Sequence, residues 1–217
     1  QARGLGLGRA LAAVALAGDD ELSAWSHGDH PAAARLAAAY RMERVRELWV
    51  MRRDAAMSLA EAPPPPDVEV RGFREDDAAE LLRVNAAAFA AHPEQGALDR
   101  SGLAERMAEP WFDPAGLLVA VEAGSQRMLG FHWTKRHSAG LGEVYVVGID
   151  PDAQGRGLGR VLTAAGLAHL ARAGVAQVLL YVERDNDPAV RLYSGLGFGH
   201  TPSDTHVQYR RVAHPSE

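Results

Sequence analysis

The stretch that decides the fold is residues 143–160, which read Glu143-Val-Tyr-Val-Val-Gly-Ile-Asp-Pro-Asp-Ala-Gln-Gly-Arg-Gly-Leu-Gly-Arg160. A β-branched run ends at Asp-Pro, a glycine-rich loop follows, and an apolar helical pattern comes next. Such glycines allow tight bends that turn successive N–H groups toward one anion, and the following helix adds the positive end of its dipole. The stretch therefore predicts a phosphate-binding loop between a strand and a helix.

The composition is typical of a globular protein that binds anions locally rather than over its whole surface. The 217 residues are 47% hydrophobic and 24% charged, with a net charge of −5. This acidic balance argues against a broad nucleic-acid surface, and no apolar run is long enough to cross a bilayer. The chain has no cysteine, which excludes disulfides, thiolate metal sites and a cysteine nucleophile. We expect a cytoplasmic monomer that binds neither nucleic acid nor membrane.

An internal repeat predicts two related domains. The first glycine loop and helix, Gly6-Leu-Gly-Arg-Ala-Leu11, match Gly157-Leu-Gly-Arg-Val-Leu162, and residues 31–37 and 49–53 resemble residues 188–193 and 207–211. The first copy has no counterpart of the long segment that precedes the second loop. We therefore expect residues 1–56 to be the C-terminal half of a first domain and residues 68–213 to be a complete second one. Between them, residues 57–67 contain four successive prolines, which predict an extended linker.

The second copy has the pattern of an α+β domain. Periodicity predicts strands at 68–73, 117–122, 128–135, 142–149, 175–183 and within 198–211, and helices at 76–90, near 103–108, at 157–173 and at 188–195.

Two motifs make this domain resemble the GCN5-related N-acetyltransferases. Residues Gln154-Gly-Arg-Gly-Leu-Gly159 fit that family's acetyl-CoA loop, Gln/Arg-x-x-Gly-x-Gly/Ala, and Asn186 with Tyr193-Ser-Gly-Leu-Gly-Phe198 resembles its second signature. Residues 92–96, 131–135, 142–148 and 181–186 are similar to a tandem-domain branch of the family that completes mycothiol synthesis. The resemblance implies a mixed, mostly antiparallel sheet flanked by helices, as one complete domain preceded by a partial copy.

The resemblance also implies a reaction. The enzyme would move acetyl from acetyl-CoA to the cysteinyl amine of cysteinyl-glucosaminyl-inositol, within a ternary complex and without an acyl-enzyme. By the same resemblance the residues that bind acetyl-CoA are Val147, Gly148, Ile149, Gln154, Gly155, Arg156, Gly157, Leu158, Gly159, Arg160, Asn186 and Arg191. The loop amides would hold the pyrophosphate, with added charge from the two loop arginines, and the strand backbone at 147–149 would hold the pantetheine arm.

Direct transfer needs a neutral amine and a proton for the departing thiolate. Family likeness places Glu143 at the substrate amine, directly or through water, where it would act as a base or position the amine. It makes Tyr193 the general acid; the first copy has Ala37 at the corresponding place, so only the second domain should catalyse. Glu94, Lys135 and Tyr181, together with Glu143, would bind the acceptor.

Other functions remain open or have less support. The acceptor could instead be a peptide or another small amine, and the chain could be a non-catalytic CoA-binding remnant. A nucleotide P-loop lacks its Gly-Lys-Ser/Thr, a dinucleotide fold lacks the preceding βαβ order, and no Gly-x-Ser-x-Gly elbow is present. The histidines 132, 137, 200 and 206 form no His-x-x-x-His pair, so we expect no metal site.

Overall fold

The computed structural model describes residues 6–15, 22–90 and 95–211. The chain divides into two compact units, one from Gln1–Met51, Val182–Val190 and His200–Glu217 and the other from Arg52–Tyr181 and Arg191–Gly199. The chain thus returns twice to the first unit. The domain limits of 1–56, 57–67 and 68–213 remain a prediction. They rest on an internal sequence repeat, whereas the two units are defined by their compactness.

The first unit contains two short helices and part of a sheet. Its elements include α1 (Leu7–Ala15), β1 (Leu22–Ser26), α2 (Pro31–Ala39), most of β2 (Glu43–Asp54) and most of β8 (Gly199–Arg211). The strand order is β1-β8-β2, and β1 runs antiparallel to β8. A small core of Ala37, Met42, Val207 and Tyr209 joins α2 to β8.

The second unit is built on a mixed sheet. Its strands are β3 (Val68–Gly72), β4 (Leu117–Glu122), β5 (Met128–Arg136), β6 (Leu141–Ile149) and the start of β7 (Gln177–Glu183), in the order β7-β6-β5-β4-β3. The pairs β3–β4, β4–β5 and β5–β6 are antiparallel, whereas β6 and β7 are parallel. The helices are α3 (Ala78–Ala88), α4 (Arg100–Met107), α5 (Leu158–Arg172) and the end of α6 (Asp187–Ser194).

Alternation along the strands gives this sheet two apolar faces. Val119 and Val121 of β4 pack with Leu81 and Val84 of α3, whereas Ala120, between them, packs with Leu158 and Leu162 of α5. The sheet is therefore covered by α3 and α4 on one face and by α5 on the other. The predicted α+β class, a mixed and mostly antiparallel sheet flanked by helices, is confirmed; the partial preceding copy remains a prediction.

A buried histidine lies between the sheet and α5. His132 of β5 is fully buried, and its Nδ1 donates to the carbonyl of Leu162 at 2.9 Å. Burial lowers the pKa of the His132 imidazole to about 4, so the ring is neutral near pH 7. A Cβ on Gly166 would lie 2.1 Å from this ring, which explains why a glycine stands inside α5.

The predicted element boundaries agree closely with those of the structure. The strand predicted at 117–122 is β4 without change, and the helix predicted at 157–173 is α5 with one residue fewer at each end. Residues 58–65, in the predicted linker, contain neither helix nor strand. No helix within the described residues is long and apolar enough to span a membrane.

Candidate active site

The strands β6 and β7 pair over only part of their length. Their parallel register runs from Leu141–Gln177 to Val144–Leu180 and stops there, although β6 continues to Ile149. The remaining part of β6 stays paired with β5 through its other edge. The edge of β6 beyond Val144 therefore has no β7 ladder, and it belongs to the segment predicted to hold an extended ligand arm.

A β-bulge marks the same point. The β5–β6 register shifts between Trp133–Val146 and Thr134–Val144, which makes Tyr145 an extra residue on β6. A bulge increases local twist and bends the strand that carries it, so it accounts for the separation of β6 from β7. Gly148 follows on the same strand, and a Cβ there would lie 2.7 Å from the Phe131 ring. Close packing against Phe131 thus requires a glycine at position 148, independently of any contact between this strand and a ligand.

The glycine loop has the backbone predicted for it. Gly155 and Gly157 both have φ of +77°, and a Cβ at either position would meet no atom within 4 Å. Gly157 caps α5, and its carbonyl accepts from the N–H groups of Arg160 and Val161 at 3.1 and 3.2 Å. The N–H groups of Leu158 and Gly159 have no acceptor within the helix, as at the start of any helix. The backbone of this cradle is therefore open to an anion, and binding of the CoA pyrophosphate stays a prediction.

The two loop arginines have different surroundings. The Arg156 guanidinium forms an ion pair with Asp67, with Nη2 at 2.6 Å from Oδ2. Arg160 extends toward Gly195 at the end of α6, where a Cβ would lie 3.8 Å from its Nη1. The charge predicted at Arg156 is therefore balanced in part by a carboxylate that sequence analysis did not connect with the loop.

Glu143 lies buried near the start of β6, and its carboxylate is held by a histidine. The Oε2 atom is 2.6 Å from Nε2 of His137 in the β5–β6 hairpin, and Lys135 is the register partner of Glu143 on β5. Burial raises the pKa of the Glu143 carboxyl, while the hydrogen bond from His137 and the charges of His137 and Lys135 act in the opposite direction. Once ionised, a carboxylate with a raised pKa is a stronger base than an exposed one.

Aromatic rings orient Lys135. Its Nζ lies 4.6 Å from the centre of the Trp111 ring and 5.2 Å from that of Tyr145, distances typical of cation–π contacts. Tyr181, predicted to bind the acceptor, is 45% exposed. Burial and the negative charge of Glu143 raise the pKa of its phenol. Glu143, Lys135 and Tyr181 thus belong to one electrostatic neighbourhood, whereas Glu94 lies outside the described residues.

Tyr193 lies on α6, half-buried, with its ring at 6.0 Å and edge-on to that of Phe198. Burial raises the pKa of the Tyr193 phenol to about 12, so the hydroxyl carries its proton at neutral pH. The backbone of α6 closes in a tight turn, in which the N–H of Phe198 donates to the carbonyl of Tyr193 at 3.0 Å. A protonated phenol is the form that a general acid requires.

Arg191, predicted like Asn186 to bind acetyl-CoA, lies on α6, and Asn186 immediately precedes that helix. The Asn186 Oδ1 accepts from the Ala189 N–H at 3.2 Å, which is the geometry of a helix N-cap. Arg191 is exposed. Capping gives Asn186 a structural role, and CoA binding by either residue stays a prediction. Within the described residues no cluster of three or more histidine, aspartate or glutamate side chains is arranged to hold a metal.

Sequence reasoning missed three residues of this region: His137, Trp111 and Asp67. The sequence pattern presents His137 only as a candidate metal ligand. His137 stands six positions before Glu143, so a hairpin between them would have indicated the pairing. Trp111 and Asp67 carry no local signal, because the loop before β4 and the end of the linker reach the site only through the fold.

A family model described as the acetyltransferase (GNAT) family matches residues 81–198, more than half of the chain. Among curated relatives, the mycothiol acetyltransferase of a Nocardioides species is 62% identical, over 97% of this chain and 78% of that protein. The enzyme of the same name from Thermobispora bispora is 51% identical, over 96% of this chain and 72% of its own. The chain spans a smaller share, 62%, of the Actinosynnema mirum mycothiol acetyltransferase, to which it is 56% identical over 85% of its own length.

Solved structures share the fold at low sequence identity. A GCN5-related N-acetyltransferase from Sphaerobacter thermophilus has a TM-score of 0.80 at 22% identity, and covers 100% of this chain and 71% of its own. A tandem GNAT protein from the clavulanic acid biosynthesis pathway has a TM-score of 0.72 at 20% identity, with 99% and 72% covered. The match to the GNAT family model and the identity of 62% and 51% to two mycothiol acetyltransferases show that this chain belongs to the GNAT acetyltransferase family, among the mycothiol acetyltransferases.

Proposed function

We propose that this chain transfers acetyl from acetyl-CoA to the cysteinyl amine of cysteinyl-glucosaminyl-inositol, the last step of mycothiol synthesis. The observation that carries the proposal is the buried, histidine-bonded Glu143, which lies on the strand that leads into the glycine loop. The curated relatives named mycothiol acetyltransferase support a role in mycothiol synthesis, and the family resemblance implies the acceptor. The acceptor is thus proposed from similarity, and the chemistry from the residues.

Binding is assigned to the loop and the free part of β6. Amides at the start of α5 donate to the pyrophosphate, and Arg160 adds a positive charge beside it. The backbone of residues 147–149 on β6 provides donors and acceptors for the pantetheine amides. Bound acetyl-CoA supplies the thioester that reacts with the amine. Gln154, Asn186 and Arg191 complete the proposed CoA site.

Proton handling is assigned to two side chains. An α-amino group has a pKa of about 7.7 to 8.0, so Glu143 has to remove a proton from it near neutral pH, directly or through one water. The Tyr193 phenol gives its proton to the departing thiolate, which leaves more readily as the neutral thiol. Lys135, Glu94 and Tyr181 bind the polyol and carbonyl groups of the acceptor.

The remaining expectations belong to the same proposal. The acceptor is a small molecule, the protein acts as a cytoplasmic monomer, and it needs neither nucleic acid nor a metal. The net charge of −5 supports the absence of a nucleic-acid partner. Sedimentation of the purified chain, with and without acetyl-CoA, tests the monomer; a stable dimer in either state contradicts it.

The test is release of CoA thiol from acetyl-CoA in the presence of cysteinyl-glucosaminyl-inositol. The matched control is glucosaminyl-inositol, which keeps the sugar, the inositol and an amine but lacks the cysteinyl group. We expect release with the first and none with the second. Release only with a peptide or another amine would change the acceptor, and CoA binding without release in any case would indicate a CoA-binding remnant.

A further inference from the structure

The buried base has a neighbour that the mechanism has not used. His137 touches the Glu143 carboxylate at 2.6 Å, and the His137 side chain is 36% exposed whereas that of Glu143 is 8% exposed. One ring therefore contacts both a buried carboxylate and solvent.

The ring of His137 also lines a cavity. About 360 Å³ of open space is bounded by residues 110–113 and 136–138, on the side of the hairpin that faces the loop before β4. The hairpin holds the histidine in place, because the N–H of His137 donates to the carbonyl of Leu141 at 2.9 Å. The cavity is large enough for several waters.

The proposed reaction has a proton to dispose of. When the acceptor enters as an ammonium ion, its nitrogen loses two protons as the N–C bond forms, and the sulfur gains one as the C–S bond breaks. One of the two amine protons replaces the proton that Tyr193 gives to the sulfur, so one proton per turnover leaves the site. Glu143 receives it, and because this carboxylate is buried whereas the His137 ring that touches it is partly exposed, the histidine offers the proton a way to solvent.

We propose that His137 is the proton-exchange partner of Glu143. In this role His137 carries the amine-derived proton from the buried carboxyl to the water of the adjoining cavity. An imidazole can accept a proton on one ring nitrogen and release one from the other. The proton passes from Glu143 to the unprotonated Nε2 of His137, the ring releases its Nδ1 proton to water, and Glu143 returns to its ionised form. Exchange with the cavity water then moves the remaining ring proton from Nε2 back to Nδ1 before the next turnover. No oxidant or further reactant is needed. The inference rests on the proposed function.

Other charged groups around the pair do not provide this path. Lys135 of β5 is the register partner of Glu143, but its ammonium lies against the Trp111 and Tyr145 rings. Burial and the negative charge of Glu143 both raise the pKa of the Tyr181 phenol on β7. Among the residues that line the cavity, the Asp113 carboxylate lies 3.1 Å from Nε2 of His169, and Arg136 is a permanent cation.

The first experiment compares His137→Gln with His137→Ala. The glutamine amide can still donate to Glu143 but cannot take up a proton, so it separates proton exchange from positioning. We expect kcat of His137→Gln to fall roughly tenfold to a hundredfold near pH 7, with little change in KM for the amine. Imidazole should restore part of kcat to His137→Ala, whereas pyrazole, which has the same size but is hardly basic, should not. His30→Gln, an exposed histidine at the start of α2, is the control.

Wild-type kcat and an unchanged pH profile in His137→Gln would overturn the proposal, as would equal rescue by pyrazole. A second measurement needs no turnover: the carbon NMR signal of the Glu143 carboxyl is followed against pH in the wild type and in His137→Gln. Because the hydrogen bond and the charge of His137 lower the pKa of this carboxyl, we expect that pKa to rise in the variant, and an unchanged pKa would contradict the coupling. If the wild type releases no CoA with the cysteinylated acceptor, the proposed function fails, while this titration still decides whether Glu143 and His137 are coupled.

Discussion

The two glycine loops have the same local backbone and very different surroundings. Gly6 has φ of +74° and its carbonyl accepts from the N–H groups three and four residues later at 3.0 Å, as that of Gly157, with φ of +77°, does at 3.1 and 3.2 Å. Yet α1 buries no residue, whereas α5 buries seven of its fifteen. The likeness supports the predicted repeat without establishing it.

This difference separates what a loop motif determines from what a sheet determines. A left-handed glycine followed by a helix forms wherever the sequence allows it, because the steric rules are local. A working site also needs a strand that carries the catalytic carboxylate before the loop, and the second loop follows β6, on which Glu143 lies. The comparison predicts that equal substitutions in the two regions have unequal effects.

The largest expected effect is that of Tyr193→Phe. Loss of the phenolic proton should lower kcat by roughly 10² to 10⁴ while acetyl-CoA binding is retained, since the ring stays in place. The matched control is Tyr40→Phe at the end of α2, where the hydroxyl donates to the carbonyl of Arg9 at 2.9 Å. Steady-state kinetics and CoA titration measure both. A near-normal rate in Tyr193→Phe would remove its role as the acid.

Glu143→Gln should lower kcat by roughly 10² near pH 7, and by less as pH rises and the amine deprotonates on its own. Because burial raises the pKa of Glu143, the wild type loses its base already above the range of an ordinary carboxyl as pH falls. The variant should lack that limb of the pH–rate profile. Glu69→Gln, an exposed carboxylate on β3, is the control. A reduction independent of pH would point to positioning of the amine.

Gly166→Ala in α5 should destabilise the fold by roughly 2 kcal/mol, because the new methyl group meets the enclosed His132 ring at 2.1 Å. Gly8→Ala is the counterpart in α1, where a Cβ meets no atom within 4 Å. There alanine should favour the helix by up to about 1 kcal/mol. Urea unfolding of the two variants tests the contrast. Equal stability of both would mean that the sheet and α5 separate readily at His132.

The smallest effects on stability are expected at Gly157 and Gly6, the glycines that precede α5 and α1. Gly157→Ala should cost about 1 to 2 kcal/mol of backbone strain and weaken CoA binding about tenfold, since no clash arises but φ is positive. Gly6→Ala carries the same strain, but α1 can unwind locally without uncovering a buried side chain. Its effect on the free energy of global unfolding should stay within a few tenths of a kcal/mol, while hydrogen exchange of the α1 amides becomes faster. A large loss of stability in Gly6→Ala would show that α1 supports the fold.

The sequence by itself determined the features that depend on near neighbours. Strand alternation, helical periodicity and the positive φ of the loop glycines are all set within a few residues, so β4, α5 and the cradle could be predicted with their boundaries. The family motifs extended the prediction to Glu143 and Tyr193.

Only the tertiary structure decided the contacts between distant segments. Asp67 and Arg156 are 89 positions apart, and their ion pair exists because the fold brings the linker to the loop. The bulge at Tyr145 ends the pairing of β6 with β7, and the hairpin turns His137 back onto Glu143. The physical reason is that burial and hydrogen-bond partners are properties of packed neighbours, which a linear pattern does not contain.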